Sequence, residues 1–212
     1  MLHKFFFAAA LAFAAATQAF AQDPLEDLLV AARANDVERV RTMLAQGMDP
    51  DTADRQGNTL LLIAAFEGHF ELARYLLAQR ARLRARNAFG DSPLMLAALK
   101  GHVEMVRLLA AHGGELNPSG WTPLHYCAWS GHTDVCRLLL DLGARVDALS
   151  PNGTSPLMMA ARQGHTGLVE LLLGRKPNLG VRNDSNATAL SWARQYDQAE
   201  VVRLLERAGA RE

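Results

Sequence analysis

"GWTPLHYCAWSGH", Gly120 to His132, gathers two Trp, a Tyr, a Cys and two His into thirteen positions, and a second Cys follows at 136. Taken alone, it reads as a reactive centre with a thiol, an imidazole and an aromatic wall. The rest of the chain decides otherwise, because the stretch recurs. Its counterparts are "GNTLLLIAAFEGH" from 57, "GDSPLMLAALKGH" from 90, "GTSPLMMAARQGH" from 153 and a worn copy, "NATALSWARQYDQ", from 186. Successive copies start 33, 30, 33 and 33 residues apart. An earlier remnant, "LLVAARAND", sets Ala31-Ala32 33 residues before Ala64-Ala65. Self-similarity at this period marks an array of small stacked units.

Each copy dictates the same local structure. Thr59, Ser92, Thr122, Ser155 and Thr188 stand where a helix needs an N-cap, and Pro93, Pro123 and Pro156 follow at the first helical position, where a missing N–H costs nothing. A short helix runs to the Gly-His pair, which turns the chain. A second helix, such as "HVEMVRLLAAHG", carries apolar residues at helical spacing and stops at a Gly suited to the left-handed C′ position. Paired Ala on the first helix let neighbouring pairs approach closely. Such a pair buries its apolar face only against its neighbours, so the product is a one-dimensional stack. Arg80 and Lys176 stand where Gly113 and Gly143 end the equivalent helices, and a left-handed residue other than Gly costs about 1 kcal/mol there. The 30-residue step falls in "GGELNPSGW", which predicts a connecting finger about three residues short.

The pattern Gly-x-Thr-Pro-Leu-His-x-Ala-Ala-x-x-Gly-His, followed by "DVCRLLLDLGA" from 134, resembles the ankyrin repeat, and the resemblance covers nearly all of the chain beyond residue 21. It implies an all-α solenoid of about six helix-turn-helix units with finger loops, at 22–53, 54–86, 87–116, 117–149, 150–182 and 183–212. The first and last units act as caps, and polar residues such as Arg39, Arg41, Gln195 and Asp197 suit their outer faces. Members of this family are overwhelmingly interaction modules without catalysis. Some small exported bacterial relatives are associated with catalase or peroxide defence, so the resemblance makes a periplasmic enzyme such as a catalase a candidate partner.

Residues 1–21, "MLHKFFFAAALAFAAATQAFA", read as a signal peptide cleaved after Ala21. They show a short basic start, an apolar core too short to span a bilayer, and a small-x-small end. "DPLE" from 23 then reads as an N-cap, a Pro at the first helical position and an acid closing a capping box. An exported protein, in the bacterial periplasm or secreted, is the expectation, with no membrane insertion once the leader is removed. The chain carries 22 Lys and Arg against 22 Asp and Glu. A neutral balance argues against binding to nucleic acid or an anionic membrane, which want a basic excess. A monomer is expected.

The chemistry-bearing residues take structural readings. His69, His102, His132 and His165 occur once per unit, and stacked helices lie about 8–10 Å apart. That is too far for neighbouring imidazoles to share a metal within about 2.1 Å, so they read as turn residues bonded to backbone. His125 is expected to tie loops together. Cys127 and Cys136 face packed surface, where Cys behaves as a small hydrophobe, and a disulfide between them is open if their Cα atoms come within about 7 Å. No phosphate loop, carboxylate pair or nucleophile elbow is found, so no catalytic residue, metal or cofactor is expected. "NGT" at 152 and "NAT" at 186 match a glycosylation acceptor but are the unit's own turn.

A partner protein is the remaining expectation. The positions after the Ala pair are Phe66, Leu99, Trp129, Arg162 and Arg194, on the concave side of the first helices. The fingers offer Asn58, Asp91, Trp121, Thr154 and Ala187, with Phe89 at a tip. Phe66, Phe89, Leu99, Trp121 and Trp129 are large apolar groups where polar ones are usual, which marks binding anchors. Tyr126 and Trp192 are expected in the core. Arg80, Arg82, Arg84 and Arg86 alternate through "QRARLRARN", either as a solvated connection or as a patch for an acidic partner. Two other functions stay open: a redox-responsive or small-ligand protein using Cys127, Cys136, His125 and the Trp pair, and an enzyme inhibitor or immunity-type protein.

Overall fold

The computed structural model describes residues 23–211, so the leader reading of residues 1–21 lies outside the described part. Twelve helices make up this part, in six antiparallel pairs. They are α1 (Pro24–Arg33) and α2 (Val37–Ala45), α3 (Leu60–Glu67) and α4 (Phe70–Ala78), α5 (Pro93–Lys100) and α6 (Val103–Ala111). The chain continues with α7 (Pro123–Ser130) and α8 (Thr133–Asp141), α9 (Pro156–Gln163) and α10 (Thr166–Leu173), α11 (Ala189–Gln195) and α12 (Ala199–Arg207). Odd-numbered helices stack on one another in one layer and even-numbered helices in a second, each odd helix also packing on its own partner. Among the described residues there is no strand beyond one isolated bridge, Ala53 to Thr59.

The first-layer helices are short because their sequences allow nothing longer. Thr59, Ser92, Ser155 and Thr188 cap with their hydroxyls, accepting from Leu62, Met95, Met158 and Ser191 N–H respectively. Gly68, Gly101, Gly131 and Gly164 end four of them in the left-handed conformation. Between these limits α3 is apolar all round, and Leu60 to Ala65 are all buried, as a helix flanked on both sides and behind must be. Ala64, Ala65, Ala97, Ala98, Ala128, Ala160 and Ala161 are fully enclosed, where a larger side chain would push the stack apart. In the first pair Asp23 caps α1 by accepting from Leu25 N–H at 3.1 Å. Glu26, expected to close a capping box, instead pairs with Arg33 at 3.7 Å.

The histidines explain how one pair is fixed to the next. His69, His102 and His165 each bring Nε2 to a backbone carbonyl 36 residues upstream, those of Arg33, Phe66 and Trp129, at 3.0–3.1 Å. Gln198 repeats the reach with its amide, donating to Arg162 O at 3.4 Å. The preceding Gly must lack a side chain for this. A Cβ on Gly131 would stand 2.6 Å from the His165 ring, and one on Gly101 equally close to His132. The Gly-His pair is therefore a clasp between units, and among the described residues no group of His, Cys, Asp or Glu is placed to hold a metal.

Arg80 and Lys176 adopt the left-handed conformation, with φ of 63° and 55°. Their neighbours Gly113 and Gly143 do the same work without a Cβ, at 92° and 98°. Replacing Arg80 by Gly is expected to raise stability by about 0.5–1 kcal/mol, the relieved strain exceeding the added freedom of the unfolded chain. A higher urea midpoint at unchanged slope would show it, and a lower midpoint would mean that the Arg80 side chain contributes more than its backbone costs.

Candidate functional site

Three full-length fingers are each built around one polar side chain that accepts two backbone N–H groups of its own tip, while in the fourth the Ser150 hydroxyl accepts only that of Thr154. The Asp54 carboxylate takes those of Gln56 and Asn58, and Asn87 takes those of Phe89 and Asp91. Asn183 takes those of Ser185 and Ala187. Burial opposes ionisation of Asp54, but the hydrogen bonds from Asn58, Gln56 and Arg33 outweigh it and hold its carboxyl below the usual range. Neighbouring fingers then pair, Ala88 N–H donating to Gln56 O and Asp184 N–H to Asn152 O.

The short finger departs from this scheme. Asn117 reaches to the following unit, accepting from Arg145 N–H and donating to Gly143 O at 3.0 Å. A hollow of about 610 Å³ opens beside it, lined by Pro118, Ser119, Gly120, Val146, Ala148 and Leu149. The finger does not fold over the two Trp: Trp121 is 37% and Trp129 39% exposed.

Between fingers and first-layer helices run two hollows that meet at Leu99, the first of mixed polarity, with Asp54, Glu67 and Asp91 among its lining, and the second mainly apolar. The first, of about 400 Å³, has Phe66, Phe89, Leu62 and Leu96 in its walls. The second, of about 360 Å³, is formed by Trp121, Tyr126, Trp129, Leu99, His125 and Met159. The structure thus brings the five apolar residues singled out from the sequence into one continuous groove. Phe89 is the most exposed of them at 74%, while Phe66 is half-buried beneath the Lys100 ammonium, 4.6 Å from its ring centroid.

The floor of the second hollow is tied down by hydrogen bonds. His125 is buried, and its Nδ1 accepts from Thr122 N–H at 3.2 Å and lies 2.8 Å from the Thr122 hydroxyl. That leaves Nε2 to donate to Thr154 O at 2.9 Å. Burial pushes its pKa down to about 4, against the raising effect of the Thr154 hydrogen bond, so the ring is neutral. Trp121 meets this ring edge-on, centroids 5.4 Å apart. Tyr126 donates its hydroxyl to Asp91, and burial together with that carboxylate raises the phenol well above its usual range. Tyr126 and Trp192, expected in the core, are half-buried and pack against it; Tyr126 also lines the second hollow, and the outer side of Trp192 meets Arg162. Thr154, expected on an exposed finger position, is fully buried because its segment carries the carbonyl that His125 needs.

Behind this floor, Cys127 and Cys136 are joined by a disulfide with Cα atoms 5.7 Å apart, tying α7 to α8. Both residues are wholly buried, which keeps the bond from any reagent while the unit stays closed.

The four arginines lie apart from the aromatic groove, Arg86 excepted. Arg82 pairs with Asp51 of the preceding unit at 3.0 Å, and Arg84 reaches Gly113 O of the next at 3.5 Å. Both line a separate hollow with His112. Arg86 donates to Gly90 O at 2.8 Å and lies 3.4 Å from Glu115. Arg80 is the left-handed residue that ends α4.

Arg162 carries a role that was not assigned from sequence. Its guanidinium carbon lies 5.4 Å from the Trp129 ring centroid, 5.6 Å from that of Trp192 and 4.6 Å from that of Tyr196. The available signal was its register, one unit on from Trp129 in the same series. Its aromatic neighbours come from two other helix pairs, Trp129 from α7 and Trp192 and Tyr196 from α11 and its C-cap, and no periodicity announces them.

No helix among the described residues is long and apolar enough to cross a membrane. A search of curated proteins found no match. Models of the ankyrin-repeat family do match: one described as ankyrin repeats in three copies at residues 79–149 and 142–211, and one described as ankyrin repeats in many copies at 28–77. Such repeats generally mediate protein–protein interaction and are typically non-catalytic. Family models, two-layer helical stack and inter-unit clasps agree, and the chain belongs to the ankyrin-repeat family.

Proposed function

We propose that this protein is a non-catalytic adaptor acting outside the cytoplasm, in the bacterial periplasm, and that it holds a partner protein in the concave groove of its middle repeats. One observation carries the reading: Trp121 and Trp129 stand more than one-third exposed over a preformed apolar hollow. Large aromatics in such a place are the residues whose truncation costs binding most. The leader-like first 21 residues and the buried Cys127–Cys136 disulfide support a location outside the reducing cytoplasm. The wholly buried bridge favours the adaptor over the redox-responsive alternative, since a sensing disulfide has to be reached.

The test is capture from the periplasmic fraction of the source cell by the protein expressed as the full chain, beside a Trp121→Ala/Trp129→Ala variant of unchanged helical circular dichroism. A partner held by the parent and bound at least tenfold more weakly by the variant is the expected result. Equal affinity for both would move the interface elsewhere, and a partner found only in cytosolic fractions would overturn the location.

A further inference from the structure

Resting on the groove reading above, we infer that the partner presents a large apolar side chain next to an acidic residue, the first entering the hollow between Trp121 and Trp129 and the carboxylate meeting Arg162. The polarity of the hollow is the reason. On its upstream side the carboxylate of Asp91 is already occupied, accepting from the Tyr126 hydroxyl and from Asn87 Nδ2. On its downstream side Arg162 has no carboxylate within 4.0 Å among the described residues, although ion pairs are common elsewhere in the chain.

Arg162 is also held in place. The rings of Trp129, Trp192 and Tyr196 surround its guanidinium carbon at 4.6–5.6 Å and restrict it, while its N–H donors make no hydrogen bond among the described residues. A flat cation immobilised in advance loses little freedom when it takes a carboxylate, and its fork of donors suits two oxygens at once. Trp129 serves both places, closing the apolar hollow and supporting Arg162. The two contacts are therefore neighbours, within reach of adjacent residues of one extended segment. Lys100 of α5, two units upstream of Arg162, is a second cation seated on an aromatic ring. Around Trp129 the surface is aromatic with Arg162 as its cation, which an apolar residue beside an acid complements, whereas the first hollow also carries Asp54, Glu67 and Asp91.

The probe is a phage-displayed library of random 12-residue peptides selected on the purified full-chain product. The strongest peptide is then synthesised with its acidic residue intact and as the Asp→Asn or Glu→Gln form. Parent-selected peptides are expected to share an aromatic or large aliphatic residue adjacent to Asp or Glu. Neutralising the acid should weaken binding about tenfold to the parent and less than twofold to Arg162→Gln. The Trp121→Ala/Trp129→Ala variant should lose all the selected peptides. Peptides that need the Trp pair but show no acidic preference would overturn the carboxylate assignment and leave the groove standing. Peptides retained by the Trp variant would overturn the groove itself. An acid effect of equal size in parent and Arg162→Gln would place the carboxylate elsewhere, and failure to enrich any sequence would overturn the short-segment chemistry. Circular dichroism of both variants guards against loss of fold, and Arg162→Lys, which keeps the charge without the fork, should fall between parent and Arg162→Gln.

Discussion

Acidification from pH 7 to pH 4 is expected to remove about 3 kcal/mol of stability through one residue, His125. Folded, this histidine titrates at about 4, well below its ordinary 6.5, because burial disfavours the charged ring. Between those two values the unfolded chain binds a proton that the folded chain refuses. The contribution is therefore complete above pH 6.5, declines as pH falls, and is gone near pH 4. A proton on Nδ1 would also remove the acceptor for Thr122 N–H. Urea midpoints at pH 7, 5.5 and 4 measure the effect. His125→Gln should lower the midpoint at pH 7 and flatten the profile between 6.5 and 4; a parent profile already flat there would disprove the assignment. Asp54 acts in the same direction in a lower window, since a carboxyl held below its usual range loses its contribution only at still more acid pH.

The second large effect is the disulfide. Joining residues nine apart in sequence removes chain entropy from the unfolded state, worth about 2–3 kcal/mol in the loop-closure account. Reductant alone should leave the native protein intact for as long as the unit stays closed, because both cysteines are fully buried. In denaturant without reductant no thiol should react. After reduction both should, and the urea midpoint of the reduced protein should fall by the stated amount. Free thiols in the unreduced, denatured protein would show that the bond does not form, and equal midpoints would show that it contributes nothing.

Periodicity carried much of this protein openly. The caps at Thr59 and Ser155, the turns at the Gly-His pairs and the short finger at 113–121 are all properties of one unit, written several times over. Arg80 was readable for the same reason: Gly113 and Gly143 in the aligned copies show what belongs there. The groove was readable by position, because Phe66, Leu99 and Trp129 occupy one register. Contacts between units were less so. The pairing of Tyr126 with Asp91 and the seat of Arg162 depend on how side chains of different units lean toward one another, and a repeat pattern fixes spacing without fixing lean. Thr154 misled for a related reason: its register is exposed in general, but here a histidine one unit back draws its segment inward.

The histidine clasps also bear on how the chain is made. Each ties a unit to a carbonyl already synthesised 36 residues earlier and never to one still to come. A chain emerging N-terminus first, from a ribosome or a translocation pore, always finds its anchor waiting. Every closure spans the same length, so its entropic cost is the same for the last unit as for the first. The clasps therefore allow assembly by addition at one end, while the buried His125 has to wait for Thr154 O of the unit that follows it.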